Sequence, residues 1–346
     1  MRTYYDAAME MNNEPVISVI VITYNQETTI ARAIDSVLAQ RCNAAVEIII
    51  GEDGSTDGTR AICEDYVRRF PDKVRLMAKA PNKGVVDNYF DCLLACRGKY
   101  IADCAGDDFW TDNLKLDKEL RIMETHPRVT LVHTDWLRYD ETTKTTTCSG
   151  QQPFADAVTD GKTMLEAIIT QTDRPVIHLC TALYRASTIK KAYAGDTALF
   201  RNKDYGCEDL QICFAMARMG DIAYIPDSTL CYSCGKSSVS FSEDGAKQFR
   251  FVRQVTSLSF YLSERYDIKG RAVERYFSRR LTALLMHAFR CGSRELRDEA
   301  VRCGRLWHAR KTPLSALVTA VTSNRPTWIA ALKVRAVVVR MKSAHA

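Results

Sequence analysis

The sequence predicts an α/β protein: a mostly parallel sheet flanked by helices, followed by a basic helical extension. Three observations predict it. Short β-branched runs alternate with helical periodicity, polar clusters follow those runs, and the chain turns basic and all-helical from about residue 246. Val16–Ile22 is apolar except for Ser18, the pattern of a strand covered on both faces. Ile30, Ile34, Val37 and Leu38 then recur at helical spacing. Val46–Ile50 reads as a second buried strand, and Ile62, Tyr66 and Phe70 mark the helix after it. Val74–Met77 reads as a third strand, Asp87–Cys96 as a helix and Tyr100–Ala102 as a fourth strand. Such alternation gives right-handed βαβ units. Further on, a helix is expected at Thr163–Thr170 and a strand at Ile177–Tyr184. A second helix is expected at Asp209–Met219, closed by Gly220 in the C′ position. These elements predict one domain over 1–240 and an extension over 241–346.

Composition narrows the class. The chain has 346 residues, 46% hydrophobic and 26% charged, enough for a sizeable core. Thirteen cysteines, odd in number and scattered, together with a polar N-terminal stretch, predict a reducing cytosol. The one C-x-x-C pair, Cys231-x-x-Cys234, has no second pair of that spacing to complete a structural zinc site. Apolar runs such as Trp328–Leu332 are too short to cross a bilayer. Residues 246–346 carry 21 Lys and Arg against 6 Asp and Glu, whereas residues 1–245 carry 27 against 36. An acidic front and a basic tail imply different partners for the two parts.

In an open parallel sheet, ligands bind beyond the carboxyl ends of the strands. Three such loops are polar here: Thr23-Tyr24-Asn25, Glu52–Thr59 and Asp103–Asp108. The carboxylates of Asp103, Asp107 and Asp108 repel one another unless compensated, and hard oxygen ligands suit Mg²⁺ or Mn²⁺ shared with substrate phosphates. The plainer alternative is an Asx-rich turn that caps the next helix. No G-x-x-x-x-G-K-[ST], no G-x-G-x-x-G after the first strand and no G-x-S-x-G is present. A phosphate-cradling glycine loop and an α/β-hydrolase elbow are thereby excluded.

Val16–Gln40, Glu52–Thr59, Asn82-Lys83-Gly84 and Gly98–Trp110, in that order, resemble the family-2 inverting glycosyltransferases of the GT-A fold. A less specific fifth block, Glu208-Asp209-Leu210 with Cys231-Tyr232 and Ser238–Ser240, resembles the acceptor half of that family. The resemblance implies a hexosyltransferase-type enzyme. Its nucleotide-sugar donor, a UDP-sugar by expectation, is held by Thr23, Tyr24, Asn25, Glu52, Asp53, Lys83 and Asp107. Thr23 and Asp53 would hold the base, and Lys83 would lie near the base or the phosphates. Asp107 and Asp108 would bind Mg²⁺ or Mn²⁺, Asp209 would be the catalytic base, and Glu208 would position it. An acidic pair at a helix start also favours the macrodipole, which is the plain reading of Glu208-Asp209. Trp110 and Trp136 are candidates to stack on acceptor sugar, with core packing as the alternative for each. The implied acceptor is a glycan or a polyprenol-linked saccharide in bacterial surface polysaccharide assembly.

The family pattern is incompletely kept. Ala105 stands where many members carry an acid, and Gly235 where many carry a histidine that reaches the metal. Those losses support an alternative, an inactive partner subunit that binds nucleotide-sugar or glycan. His178 could contribute a ligand, against the plainer reading of a structural histidine. In the tail, Trp328–Met341 mixes Lys333, Arg335 and Arg340 with apolar neighbours, as an interfacial helix does. A cytoplasmic protein, peripheral on the inner face of the membrane, is therefore expected. A solvated helical bundle is the alternative for the tail. Nucleic acid is not expected as a partner, because no nucleic-acid-binding motif accompanies the charge.

Overall fold

The computed structural model describes residues 16–150, 157–171, 177–234 and 244–343. The chain divides into two compact units, Met1–Cys234 and Gly235–Ala346.

The first unit begins with β1 (Ile17–Thr23), α1 (Ile30–Leu38), β2 (Val46–Glu52), α2 (Thr59–Arg69), β3 (Val74–Leu76), α3 (Val85–Ala95) and β4 (Tyr100–Asp103). It continues with β5 (Phe109–Trp110), α4 (Lys115–Thr125), β6 (Val129–Asp140), β7 (Thr145–Cys148), β8 (Val158–Asp160) and α5 (Leu165–Thr170). The last elements are β9 (Ala182–Arg185), α6 (Ala186–Gly195), α7 (Thr197–Phe200), α8 (Asp209–Met219) and β10 (Asp221–Cys234). The ten strands among the described residues belong to one sheet, in the order β3-β2-β1-β4-β9-β6-β10-β5, with β7 against β6 and β8 against β10. Strands β3, β2, β1 and β4 run parallel, with Ile17 opposite Val46 on one side and Tyr100 on the other. Strand β9 is antiparallel to both neighbours, and β6 and β10 are parallel to each other.

The core follows from the sequence pattern. Ile17, Val19 and Val21 pack in one cluster with Ile30, Ile34 and Val37 of α1 and with Ile48 and Ile50 of β2. The same strand buries Ile20 on its other face. Burial on both faces is why the run carries no alternation. A glycine follows from close approach at Gly98, where a Cβ would meet the backbone of Ile17 at 2.8 Å.

Two expectations about elements need correction. The expected strand at Ile177–Tyr184 is a 3₁₀ turn over Leu179–Thr181, followed by β9 from Ala182. The amide and hydroxyl of Thr181 both donate to the His178 carbonyl and close that turn. The Thr163–Thr170 helix is split into a 3₁₀ turn over Gly161–Met164 and α5. Gly220 does follow α8, with an extended backbone (φ −178) in place of the left-handed one common at C′. Glycine is needed there for room, because a Cβ would collide with the Arg128 carbonyl and the Thr130 side chain.

The second unit consists, over its described residues, of α9 (Gly245–Arg265), α10 (Arg271–Cys291), α11 (Arg294–Leu306), α12 (Pro313–Ser323) and α13 (Arg325–Ser343). The side chains of Asp244, Ser293 and Thr312 accept amides at the starts of α9, α11 and α12. Phe249, Leu258 and Leu262 of α9 and Leu281, Leu284 and Leu285 of α10 supply buried faces, and Trp307 is buried after α11. Gly304 lets α11 approach α10, since a Cβ would fall 2.8 Å from the Leu281 methyls. Among the described residues, no helix is long and apolar enough to cross a membrane.

Candidate active site

The loops after β1 and β2 are built on each other. Asn25 takes a left-handed backbone (φ 52), its amide donates to Ser55 Oγ at 2.9 Å, and its side-chain oxygen accepts from the Thr56 amide at 2.8 Å. Glu52 accepts from the Ser55 amide and from Arg60 at 3.0 Å. Burial pulls the Glu52 carboxyl up, but these donors outweigh it and leave it below its ordinary value. Asp53 uses both oxygens on one segment, accepting from the Lys83 and Gly84 amides at 2.9 Å each. The Lys83 ammonium pairs with Asp91 at 2.5 Å, which also takes Arg201. Thr23 is buried and its hydroxyl donates to Gln26 Oε1 at 2.8 Å. Of the residues expected to hold a donor, Asn25, Glu52, Asp53 and Thr23 therefore shape the loops. Tyr24, 47% exposed, presents a free ring.

The loop after β4 is pinned to the same frame. At Gly106 a Cβ would fall 2.8 Å from Thr23 Oγ1 and closer still to Gln26 Oε1. Arg32 donates to the Asp107 carbonyl at 2.8 Å, to Glu141 at 2.5 Å and to Ser233 Oγ at 3.2 Å, with its guanidinium 4.2 Å from the Phe109 ring centroid. Ser233 holds both acids in turn: its amide donates to Asp108 Oδ1 at 2.9 Å and its hydroxyl to the Asp107 carbonyl at 2.6 Å. Asp107 and Asp108 cap no helix here, since β5 follows directly.

Burial raises the Asp107 carboxyl, tempered by its own amide, Gln26 and Arg32. Asp108 is 1% exposed, and burial followed by the Asp107 charge pushes its carboxyl well above the ordinary range. Its Oδ2 finds no hydrogen-bond partner among the described residues. An orphaned carboxylate oxygen beside a second acid fits a divalent cation, which supplies the missing charge. The carboxylate of Asp108 also groups with His178 and Cys180, with one ligand atom from each within 4.8 Å of the others. Burial lowers His178 to about 4, so its ring is neutral at pH 7. That ring lies 4.7 Å from Tyr232 and 5.7 Å from Trp136, centroid to centroid.

The Glu208-Asp209 pair, about a hundred residues downstream, reaches the end of β4. Glu208, Asp209, Asp103, Cys104, Ala105 and Cys180 line one small cavity of about 30 Å³. Glu208 stands at the helix N-cap position without capping it, and Asp209 is the first residue of α8. Water reaches the Asp209 side chain, yet protein surrounds it closely enough for desolvation to push its carboxyl up to about 6. Exposure and desolvation describe the wall of a concave site. Desolvation, then the Asp209 charge, push Glu208 higher still, so Asp209 ionises first. Behind them Asp103, 4% exposed, is raised to about 7 by burial. The hydroxyls of Tyr89 and Tyr184, 2.5 Å from each other, temper that rise.

One expected contact is corrected. Trp110 is 4% exposed and belongs to the core cluster. Its indole N–H donates to the Cys180 carbonyl at 3.0 Å, and the buried Lys115 ammonium lies 4.5 Å from its ring centroid. A ring so enclosed offers no face to an acceptor sugar. Lys115 in turn pairs with Glu119 at 2.8 Å, both fully buried. Sequence reasoning missed Arg32, Ser233 and Cys180. The spacing His178-x-Cys180 was the one signal that pointed to the last of these.

The profile of glycosyl transferase family 2 matches residues 18–192, just over half of the chain. The Mycobacterium tuberculosis (strain H37Rv) protein Rv1520 is 44% identical over 115 residues, 33% of each chain. EpsE of Bacillus subtilis (strain 168), which carries a glycosyltransferase name, is 36% identical over 131 residues, 38% of this chain and 46% of EpsE. The matched part thus spans about a third to a half of these relatives. A structure of the mannosyltransferase PcManGT from Pyrobaculum calidifontis, in complex with GDP-Man and Mn²⁺, superposes with a TM-score of 0.53 at 16% identity. It covers 95% of this chain and 93% of that one, and shares its α/β fold.

Proposed function

The chain belongs to glycosyl transferase family 2, and from this we propose that it transfers a sugar from a nucleotide-sugar, expected to be a UDP-sugar, to a hydroxyl of a glycan or polyprenol-linked saccharide. The setting proposed is bacterial surface polysaccharide assembly. The observation that carries the reading is the convergence of Asp209, a carboxylate reached by water and raised to about 6, on the β4 loop that bears Asp107 and Asp108. Residues 1–240 carry the reaction and 241–346 form the extension.

The donor lies across the three loops, with the exposed Tyr24 ring against the base and the shaped segment Asp53–Lys83–Gly84 beside it. Asp209 accepts the proton of the acceptor hydroxyl as its oxygen bonds to the anomeric carbon from the face opposite the diphosphate. The bond from that carbon to the phosphate oxygen breaks with its electron pair, and the configuration inverts. Glu208, its own carboxyl raised by desolvation and by the Asp209 charge, hydrogen-bonds Asp209, positions it and tempers the rise that burial gives it. Asp107 and Asp108 would hold a divalent cation, which when bound would supply positive charge for the departing nucleoside diphosphate.

The test is transfer and donor hydrolysis by wild type and Asp209→Asn over a panel of UDP- and GDP-sugars. Asp209→Asn should lower kcat by about 10²–10⁴-fold and leave stabilisation by the nucleoside diphosphate intact. Donor binding with equal, background hydrolysis in both proteins would instead establish the inactive partner subunit. No nucleotide binding at all would remove the donor site.

A further inference from the structure

We propose that Asp108, His178 and Cys180 form a cation site whose mixed oxygen, nitrogen and sulfur donors select zinc-class ions over Mg²⁺ and Mn²⁺. The proposal takes the place of Asp108 beside the donor from the reading above, but the site itself stands on its own geometry.

Each ligand is held by a separate support. Asp108 Oδ1 is occupied by the Ser233 amide, which leaves Oδ2 buried and without a partner among the described residues. His178 Nδ1 is likewise buried and unpartnered among the described residues. The Cys180 thiol lies beside Asp108, close enough to temper the rise of its carboxyl. Its backbone is fixed by the turn that closes on the His178 carbonyl and by the Trp110 indole, which donates to the Cys180 carbonyl. The Tyr232 and Trp136 rings flank the imidazole. Three donors of three kinds therefore converge within 4.8 Å of one another on a preformed frame.

The chemistry of that set decides the ion. Mg²⁺ and Mn²⁺ prefer carboxylate, carbonyl and water oxygens, whereas imidazole and thiolate favour Zn²⁺ and its spectroscopic substitute Co²⁺. Zinc lies about 2.0–2.3 Å from oxygen, nitrogen and sulfur donors. Tetrahedral placement at those lengths separates oxygen, nitrogen and sulfur donors by about 3.3–3.6 Å, so a pair 4.8 Å apart needs to close by about 1.2–1.5 Å. Three protein ligands leave a fourth position open, and Cys180 also lines the cavity shared with Asp209. This assignment gives a place to Ala105 and Gly235. Where the family pattern has a further acid and a histidine, this chain brings a histidine and a thiol from the 178–180 turn.

The experiment is Co²⁺ titration of the full chain without donor, followed by absorption, with Zn²⁺ and Mn²⁺ as competitors. The expected result is a near-ultraviolet sulfur-to-cobalt band and intense visible bands of four-coordinate cobalt. Zn²⁺ should abolish them, and a hundredfold excess of Mn²⁺ should not. Cys180→Ser and His178→Asn should each remove the sulfur band or weaken binding more than about tenfold, while Cys148→Ser, at an exposed thiol in β7, should leave both unchanged. Melting temperatures of the variants identify any that fail to fold, and Cys180→Ala and His178→Gln then replace them. Absence of the sulfur band, its persistence in Cys180→Ser, or Mn²⁺ binding that is indifferent to both changes overturns the proposal. UDP binding, measured separately by thermal shift, tests the donor reading independently.

Discussion

Asp209 and Asp103 are both raised carboxyls on one cavity, but they predict different behaviour with pH. Asp209 works as a base only when ionised, so turnover should fall as pH drops through about 6. A kcat profile flat from pH 5 to 8 would remove Asp209 from that role. Asp103 is enclosed, and its folded-state value of about 7 lies above the ordinary 3.8. A group raised in this way leaves stability intact below about pH 4 and lowers it as pH rises through 7, because the folded state then holds the extra proton. Asp103→Asn cannot ionise, so its melting temperature should decline less between pH 4 and 8 than that of wild type. An unchanged slope would show that Asp103 is not the titrating group.

Residues also mark where the sequence stopped being informative. The acidic pair Glu208-Asp209 stood out in the sequence because its neighbours matched a pattern. The fate of Trp110 was not, because an aromatic at a strand end has the same one-dimensional signature whether it packs inward or faces a sugar. Asp53 shows the same limit: nothing in Asp-Gly-Ser announces that both of its oxygens clasp the Lys83–Gly84 segment.

At the scale of elements, the parallel half of the sheet was readable and the mixed half was not. β1, β2 and β4 are buried on both faces, and apart from Ser18, Glu47 and their polar C-terminal ends their runs are apolar. β6 and β10 are long strands with polar and exposed ends. β10 carries Pro226 and shifts register between Ile225 and Ser228, so no alternation survives to be read. Gly220 lies between α8 and β10, and its value is steric. Gly220→Ala adds a methyl against the Arg128 carbonyl, and should lower stability by about 1–3 kcal/mol in urea unfolding, the usual cost of overpacking. A neutral result would mean that the β6–β10 junction gives way easily.

At the scale of the whole molecule, charge is the dominant asymmetry. The last 101 residues carry a balance of +15 and expose Leu314, Leu317, Ile329 and Val334 among their cations. Basic helices with exposed apolar side chains suit an anionic lipid surface, at about 1 kcal/mol per Lys or Arg near it. The full chain should therefore co-sediment with vesicles containing phosphatidylglycerol and not with neutral ones. Binding should weaken steeply between 50 and 500 mM salt, roughly as screening shortens from about 14 to 4 Å. Equal partition onto neutral vesicles would assign the attachment to apolar contact alone, and no partition would leave a solvated bundle.

Arg32 and Ser233 give the order of construction a consequence for the growing chain. The hydrogen bonds that steady Asp107 and Asp108 reach across 125, 126 and 201 residues of sequence. Chains fold as they emerge, N-terminal part first, so β1 to β4 can pair while the acids beside them still lack Ser233. The site is finished only when the last strand of the sheet, β10, has left the ribosome. Until then the nascent protein holds a partly formed sheet with an unfinished centre.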